Sequence, residues 1–543
     1  MRRGKDALTF VVVAIALLVF AAPGVAAPKD DEPGGTGTSL RDPLFPQIGN
    51  TGYDARRYDI ELDYDPAANR FRSARTKMVA RATKTLSRFS LDFQDLDVDR
   101  VKVNGHPARF AQVEAKPDLS PLPEVTQPMK LVVRPERRVR KGDRLKVVVR
   151  YDGTPVMITD PDTSVEGWIP ACHGPGMTPP CDGAFVVNQP IGAQGWFPSN
   201  NHPTDKASFD TSITVPTSHT AFGIGELASR TDNGDGTWSW SWSEDDPTST
   251  YLTTATVGLF DHTETALVEE STGRALPVHN ALDSSFTPEQ KANVNAVLAE
   301  TPAMFNFLSG RYGPYPYDSI GAVVDRTTGV GYALEVATKP HYSQLSSSGT
   351  ISRFTHVHEI AHQWMGNTVT LETWLDIWFN EGWATWSEWA WDFAENGGPP
   401  PEEVFAELYE TLPDDFWTMA PAVLDGDPAN LFSGVVYDRG AMVVEGTRQI
   451  LGEAGFAELI RRLLTDFRYD NISTEEFIEL AEDVSGFTGA RLAMLDRFYE
   501  QWLYEGQKPT ILPADFDVSA SGSAQPRSGS RAPTPPGSRS HPR

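Results

Sequence analysis

The chain is poor in the residues that build thiolate metal sites or nucleic-acid surfaces. It has two cysteines in 543 residues, and its 47 Lys and Arg are outnumbered by 73 Asp and Glu, for a net charge of −26. A surface of that sign repels phosphate, which argues against nucleic acid as a partner. The 40% hydrophobic share and the 14 Trp and 27 Phe are those of a globular protein, and the length predicts two or three domains.

Long apolar runs are scarce too. Residues 7–22 form an apolar run of 16 residues that follows Arg2, Arg3 and Lys5 and is short for a membrane-spanning helix. We therefore predict a signal peptide over residues 1–27 and a secreted protein, with no stable membrane insertion after cleavage. An uncleaved N-terminal anchor is the alternative.

Export bears on the two cysteines, Cys172 and Cys181. Outside the cytosol they can oxidise, and closing so short a loop would contribute about 2.5–3 kcal/mol in the chain-entropy model. The adjacent His173 could instead suggest a second metal site, but two Cys and one His are too few ligands. We predict a disulfide.

The organisation of the chain predicts a multidomain α+β protein. After a flexible linker (28–47), residues 48–262 alternate with the period of two that is typical of strands, as in Tyr58–Tyr64, and indicate an all-β domain. Residues 263–508 are mostly helical in pattern, with one buried strand predicted at Ile320–Val324. Residues 509–543 are rich in Ser, Pro and Arg and are expected to be a disordered tail.

Several stretches of the second domain have helical apolar spacing. They are Pro288–Leu308, Phe354–Trp364, Trp378–Phe393, Ala441–Leu451, Phe456–Phe467, Glu475–Leu480 and Leu492–Leu503.

The second of these stretches contains the sequence His358-Glu359-Ile360-Ala361-His362. Positions i and i+4 share one helix face, so His358 and His362 can present two imidazoles to one point. Glu381 follows nineteen residues after His362, on the next predicted helix, and completes a three-ligand zinc set with an open fourth position. Glu359 lies where it could take a proton from the attacking water. Glu388, seven residues after Glu381, could orient an imidazole. We predict one Zn²⁺ per chain.

These motifs resemble the gluzincin aminopeptidases, the family of aminopeptidase N and leukotriene hydrolase. The resemblance rests on His358–His362 with Asn380-Glu381-Gly382 and extends to three further segments. These are Tyr332–Val336 at the place of the G-A-M-E-N motif, Tyr437–Ala441, and a β-domain stretch with Gln189, Trp196-Phe197-Pro198 and Lys206–Phe209. It implies a saddle-like β sandwich followed by a thermolysin-like zinc domain, without the large C-terminal helical domain of relatives.

The resemblance also implies roles for individual residues. His358, His362 and Glu381 would bind zinc, and Glu359 would be the general base. Tyr437 would donate to the oxyanion, and Glu335 would bind the α-amine of the substrate with Gln189 beside it.

The chain departs from the family pattern around the amine site. Tyr332, Leu334 and Val336 replace the Gly, Met and Asn of the G-A-M-E-N motif, and Ile191 stands where some members carry a second amine-binding Glu. After Phe197-Pro198, Asn201-His202-Pro203 replaces the usual Asp-Glu-Pro.

Three functions follow from these patterns. The first is an aminopeptidase acting on peptide substrates, with a monomer favoured. The second is a zinc endopeptidase that uses the same site. The third is a catalytically silent binding protein that keeps the fold.

Overall fold

A computed structural model of the protein describes residues 39–116, 124–174, 176–343 and 345–516. The predicted signal peptide, residues 28–38 of the predicted linker and residues 517–543 of the predicted tail lie outside the described residues. Among the residues described, no helix has both the length and the apolar character needed to cross a bilayer.

The N-terminal part of the described chain is built of strands, as predicted. Its strands are β1 (Tyr53–Asp65), β2 (Arg70–Ala82), β3 (Phe89–Asp92), β4 (Asp97–Val103), β5 (His106–Glu114), β6 (Met129–Pro135), β7 (Arg144–Gly153), β8 (Met157–Thr159), β9 (Val165–Gly174), β10 (Thr178–Val187), β11 (Ala207–Pro216), β12 (Thr220–Phe222), β13 (Glu226–Asp232), β14 (Thr237–Thr248) and β15 (Thr256–Gly258).

These strands form two sheets whose apolar faces meet. The larger has the order β13-β14-β11-β1-β2-β7-β4-β5-β6-β3, and the smaller has the order β12-β15-β10-β9-β8. In β1, Tyr58, Ile60, Leu62 and Tyr64 alternate inward and are buried, because successive side chains of a strand point to opposite faces. Tyr64 packs edge-on against Trp168 of the smaller sheet, with ring centroids 4.9 Å apart.

The second part combines a mixed sheet with helices. Its strands are β16 (Phe260–Val268), β17 (Ala275–Asp283), β18 (Ile320–Val324), β19 (Ala333–Leu334), β20 (His341–Tyr342), β21 (Thr370–Leu371) and β22 (Asn471–Ile472). Its helices are α1 (Pro288–Leu298), α2 (Thr301–Tyr312), α3 (Arg353–Ala361), α4 (Ile377–Trp391), α5 (Pro401–Thr411), α6 (Gly440–Asp466), α7 (Thr474–Ser485) and α8 (Ala490–Tyr499). The sheet order is β16-β17-β18-β20-β19. The predicted α+β class is confirmed, and the predicted strand Ile320–Val324 is β18.

Two predicted helical stretches differ in detail. The single stretch Pro288–Leu308 is two helices, α1 and α2, because the second helix starts anew with a proline in its first turn. The stretches before and after residue 452 join into α6, which is kinked where Gly452 adopts a positive φ of 69°. A left-handed backbone at one glycine interrupts the helix while leaving its two halves continuous.

The chain ends of the described part are packed. Leu44 and Phe45, which the sequence placed in the linker, are buried, and Phe45 contacts the ring of Trp374 in the catalytic part. Asp42 accepts the backbone N–H of Trp374 at 2.9 Å. Phe516, which the sequence placed in the tail, is also buried. Apolar side chains at both ends of the described chain thus extend the core beyond the predicted boundaries.

The cysteine prediction is confirmed. Cys172 and Cys181 form a disulfide across the hairpin of β9 and β10.

Candidate metal centre and active site

Helix α3 carries the two histidines. Ser352 caps its N-terminus by accepting the N–H of Thr355, and the helical turn continues to His362. His358 and His362 therefore lie one turn apart on one face, with ring centroids 4.6 Å apart, and both side chains are buried. The predicted end at Gly366 is slightly late, since the helix ends at Ala361 and Gly366 follows in a loop with a φ of 129°.

Helix α4 brings the predicted third ligand to the histidines. Glu381 Oε2 lies 3.2 Å from His358 Nε2 and 3.5 Å from His362 Nε2. A tetrahedral zinc ion with bonds of about 2.0–2.1 Å keeps its ligand atoms roughly 3.3 Å apart. Two imidazole nitrogens and one carboxylate oxygen at these separations fit Zn²⁺ in both donor type and spacing.

Both imidazoles are oriented from behind. His358 Nδ1 donates to Glu388 Oε1 at 2.7 Å, as expected for Glu388, and His362 Nδ1 donates to the carbonyl of Met365 at 3.1 Å. With the proton on Nδ1, each ring directs the lone pair of Nε2 toward Glu381. Burial alone would lower the pKa of His358, but its hydrogen bonds with Glu381 and Glu388 raise that pKa well above the ordinary value. The pocket thus favours a cation between the rings.

Glu359 lies on the same helix and faces the site. Its carboxylate is buried and has an oxygen within 4.8 Å of atoms of His362 and Glu335. Burial raises the pKa of Glu359 to about 8, and the neighbouring imidazoles oppose that rise. A bound cation would lower this pKa further toward neutrality. A carboxylate in that range can both accept and return a proton.

The predicted amine site joins the two parts of the protein. Gln189 of the β part donates from Nε2 to Glu335 Oε1 at 3.0 Å. Both residues are buried, and burial raises the pKa of Glu335 to about 6. Because Glu335 is also within 4.8 Å of His362 and Glu359, an anionic group stands at a short, set distance from the metal ligands.

Tyr437 approaches from another element. It lies in a π-helical turn, Val435–Arg439, that leads into α6, and its ring centroid is 6.2 Å from that of His358. Burial and then the charges of Glu381 and Glu335 raise the pKa of the Tyr437 hydroxyl well above its usual value. The hydroxyl is therefore protonated at neutral pH and is a hydrogen-bond donor. The structure thus gathers every predicted catalytic, metal and substrate residue around one site.

Comparisons with known proteins agree with this geometry. A model of the peptidase family M1 domain matches residues 326–502, and a model of the peptidase M1 N-terminal domain matches residues 183–252. The M1 zinc metallopeptidase of Deinococcus radiodurans, solved with a Tyr-Ser-Ala substrate, is 25% identical with a TM-score of 0.71, covering 88% of this chain and 99% of that chain.

The chain belongs to the peptidase M1 family. Aminopeptidase M1-D of Oryza sativa subsp. japonica is 26% identical over 320 residues, which cover 56% of this chain and 35% of the relative. Glutamyl aminopeptidase of Sus scrofa is 26% identical over 324 residues, covering 56% of this chain and 33% of that protein. The match thus spans about a third of the length of these curated relatives. M1 metallopeptidases depend on zinc, which is the ion that the three buried donors fit.

Sequence reasoning missed two residues that hold this M1 site together. Gln363, directly after the second histidine, donates to the backbone carbonyl of Glu335 at 3.3 Å and accepts the N–H of Thr338 at 2.9 Å. Asn367 donates to the same carbonyl of Glu335 at 2.8 Å. These amides fix the backbone that carries the anionic carboxylate. A polar residue inside an otherwise buried turn was the signal available.

A third missed residue, Arg439, fixes the turn that carries Tyr437. Its guanidinium is buried and donates to backbone carbonyls of Met419, Gln501 and Glu505, at 2.8, 2.7 and 2.8 Å. A planar fork of donors suits several carbonyls at once, which a lysine could not satisfy.

The departures from the family pattern surround the amine site. Tyr332 donates its hydroxyl to the carbonyl of Val165 in the β part at 2.6 Å, and Val336 is buried. Ile191 donates its N–H to the carboxylate of Glu166, with oxygens at 2.9 and 3.1 Å. Each replacement is thus accommodated by a specific contact.

Proposed function

We propose that this chain is a secreted zinc aminopeptidase that removes residues from the N-terminus of peptides. The observation that carries the proposal is the position of Glu335, buried, hydrogen-bonded to Gln189 and within 4.8 Å of Glu359 and His362. A protonated amine in a buried cleft needs an anionic partner, and one placed beside the metal ligands sets the first peptide bond at the reacting centre.

His358, His362 and Glu381 hold the zinc ion in this proposal. When bound there, Zn²⁺ lowers the pKa of water and polarises the substrate carbonyl. Glu359 takes the proton of the attacking water and passes it to the leaving nitrogen as the C–N bond breaks. Tyr437 donates a hydrogen bond to the carbonyl oxygen as it gains negative charge, a contact that strengthens in the transition state. The products are a free amino acid and a peptide shortened by one residue.

Secretion is supported by the Cys172–Cys181 disulfide, since such bonds persist mainly in oxidising compartments. The run at residues 7–22 supplies the export signal in this proposal.

The test compares tripeptides that have a free α-amine with the same peptides after N-acetylation, in the wild type and in Glu335→Gln. We expect single-residue release from free peptides only, followed by mass spectrometry. Glu335→Gln keeps the size of the side chain but removes its charge, so kcat/KM for free peptides should fall roughly 10- to 150-fold.

Activity on acetylated peptides is the internal control. Equal internal cleavage of free and acetylated peptides by the wild type would replace the aminopeptidase with an endopeptidase. The replacement of the motif's Asn by Val336 is the observation that favours this second candidate, because it removes a polar group that would hold a peptide backbone.

A further inference from the structure

A second group of metal-binding side chains surrounds the disulfide hairpin. His173 in β9 and Asp182 in β10 directly follow the two disulfide-bonded cysteines, and both side chains turn toward Asp283 at the end of β17. His173 Nε2 lies 3.2 Å from Asp182 Oδ1 and 3.5 Å from Asp283 Oδ2. One atom from each residue lies within 4.8 Å of the other two. The cluster thus joins the β part to the sheet of the catalytic part.

The facing atoms lack hydrogen-bond partners. His173 Nε2 and Asp283 Oδ2 are both buried and make no hydrogen bond, although they face each other, and the Asp283 side chain is only 1% exposed. A simple ion pair would direct the imidazole N–H at one oxygen. The separations instead equal those between Glu381 and the two imidazoles at the zinc centre, 3.2 and 3.5 Å.

The charge around the cluster is uncompensated. Asp325, at the end of β18, is also buried, and its Oδ2 has no hydrogen-bond partner. Burial, followed by repulsion from Asp283 and Asp182, raises the pKa of Asp325 well above its usual value. Within the described residues, the ion pairs of Asp182 and Asp283 are with His173 alone, and no Lys or Arg pairs with any of the three carboxylates. A protonated imidazole would leave the group two charges negative if all three carboxylates were ionised.

The other histidine cluster of the described chain lacks these features. His262 Nε2 and His279 Nδ1 are hydrogen-bonded to each other at 3.3 Å, and Lys339 lowers the pKa of both after burial. A neighbouring ammonium opposes a metal cation. This cluster is therefore satisfied without one.

We propose that His173, Asp182 and Asp283 form a second divalent-cation site, with Asp325 as an outer carboxylate. One imidazole with carboxylate oxygens suits Zn²⁺ or Mn²⁺ better than Ca²⁺ or Mg²⁺, which prefer oxygen donors alone. The ion would be structural. It would tie the hairpin to the loop before the amine site, where Thr328 already donates its N–H to the carbonyl of Cys172 at 3.0 Å.

The test counts metal in the full chain, produced in an oxidising compartment and equilibrated with Zn²⁺ or with Mn²⁺ before gel filtration. We expect two ions per chain in the wild type with Zn²⁺. The double substitution His358→Ala/His362→Ala should retain one, and Asp182→Asn/Asp283→Asn should lose one. The exposed pair His106 and Glu136 lies 3.6 Å apart and provides a matched control, because His106→Ala/Glu136→Gln should keep both ions.

A smaller change guards against misfolding. His173→Gln keeps the hairpin polar and should also lose one ion, with the circular dichroism spectrum of the wild type. Adding Zn²⁺ to the His358→Ala/His362→Ala protein should raise its melting temperature, and His173→Gln in that background should abolish the rise. One ion per chain in the wild type, unchanged in Asp182→Asn/Asp283→Asn and in His173→Gln, would overturn the proposal and leave His173 as an ion-pair partner. Because the readouts are metal content and melting temperature, they are independent of peptidase activity.

Discussion

Glu359 separates metal binding from proton transfer, because it faces the site without being one of the three converging donors. Replacing it with Gln keeps the size of the side chain and removes its ability to accept a proton. We expect Glu359→Gln to retain one ion at this centre and to lose turnover by about 10²- to 10⁴-fold. Zinc analysis and peptide release measured on the same sample check this. Loss of zinc together with activity would mean that Glu359 supports the metal rather than the proton transfer.

Tyr437 tests the stabilisation of the oxyanion. Tyr437→Phe removes one oxygen from a ring that stays packed beside His358. We expect KM to change little and kcat to fall about 10²- to 10³-fold, because the hydroxyl meets charge that develops only in the transition state. Tyr504→Phe, which removes a hydroxyl bonded to Glu475, is the matched control and should leave kcat unchanged. A fully active Tyr437→Phe would disprove the oxyanion role.

At the scale of elements, α4 and α6 touch where both carry glycine. A Cβ at Gly382 would lie 2.6 Å from the backbone of Gly440, closer than real contacts allow. Since Gly382 follows Glu381, this close approach also sets the position of a metal ligand. We expect Gly382→Ala to lower the free energy of unfolding by about 1–3 kcal/mol and to weaken zinc retention. Urea denaturation and zinc analysis measure both effects.

Gly310 offers a matched control for this substitution. It lies in α2, is exposed, and a Cβ there would meet no atom within 4 Å. Gly310→Ala should therefore stabilise the protein by about 0.5–1 kcal/mol, because alanine loses less backbone entropy in a helix. If Gly382→Ala behaved in the same way, the helices would have room to move apart and the contact would not position Glu381.

The parts of the site that could be predicted from sequence are those set by helical spacing. The four-residue interval between His358 and His362 places two rings on one face whatever surrounds them. The strand at Ile320–Val324 was predictable for a similar reason, since a short apolar run between turns has few alternatives. The position of Glu335 came from the family resemblance, because no local pattern places a residue 23 positions upstream beside the metal ligands.

Contacts made through the backbone could not be predicted. Gln363 and Arg439 position the site by bonding to carbonyls, and every residue has a carbonyl, so the sequence does not mark their partners. The cluster of His173 with Asp182 and Asp283 was missed for a related reason. The sequence placed His173 beside two cysteines, whereas its partner Asp283 lies 110 residues away in the chain and is brought close only by the packing of β17.

At the scale of the whole molecule, the two parts meet across polar contacts that surround the active site. Gln189 reaches Glu335 from the β part, and Lys206 extends from the β part into the catalytic part. The Lys206 ammonium donates to the carbonyls of Asn367, Thr368 and Asp470, at 3.3, 2.9 and 2.9 Å. Asn367 in turn supports Glu335. The packing of the two parts and the amine site therefore depend on a shared loop.

Lys206 makes that packing sensitive to pH. Burial lowers the pKa of Lys206 from 10.5 to about 7, so between pH 7 and 10.5 the unfolded chain binds a proton that the folded protein releases. The unfolded state then binds more protons, and the contribution of Lys206 to stability rises with pH across that window, by at most about 1.4 kcal/mol per pH unit. We expect the free energy of unfolding of the wild type to gain on that of Lys206→Met as the pH rises from 7 to 9, measured by urea denaturation at constant zinc. Lys141→Met removes an exposed lysine and should leave the pH slope of the wild type unchanged. Parallel pH profiles for the wild type and Lys206→Met would show that Lys206 keeps its proton in the folded protein and that its three carbonyl contacts outweigh the cost of burial.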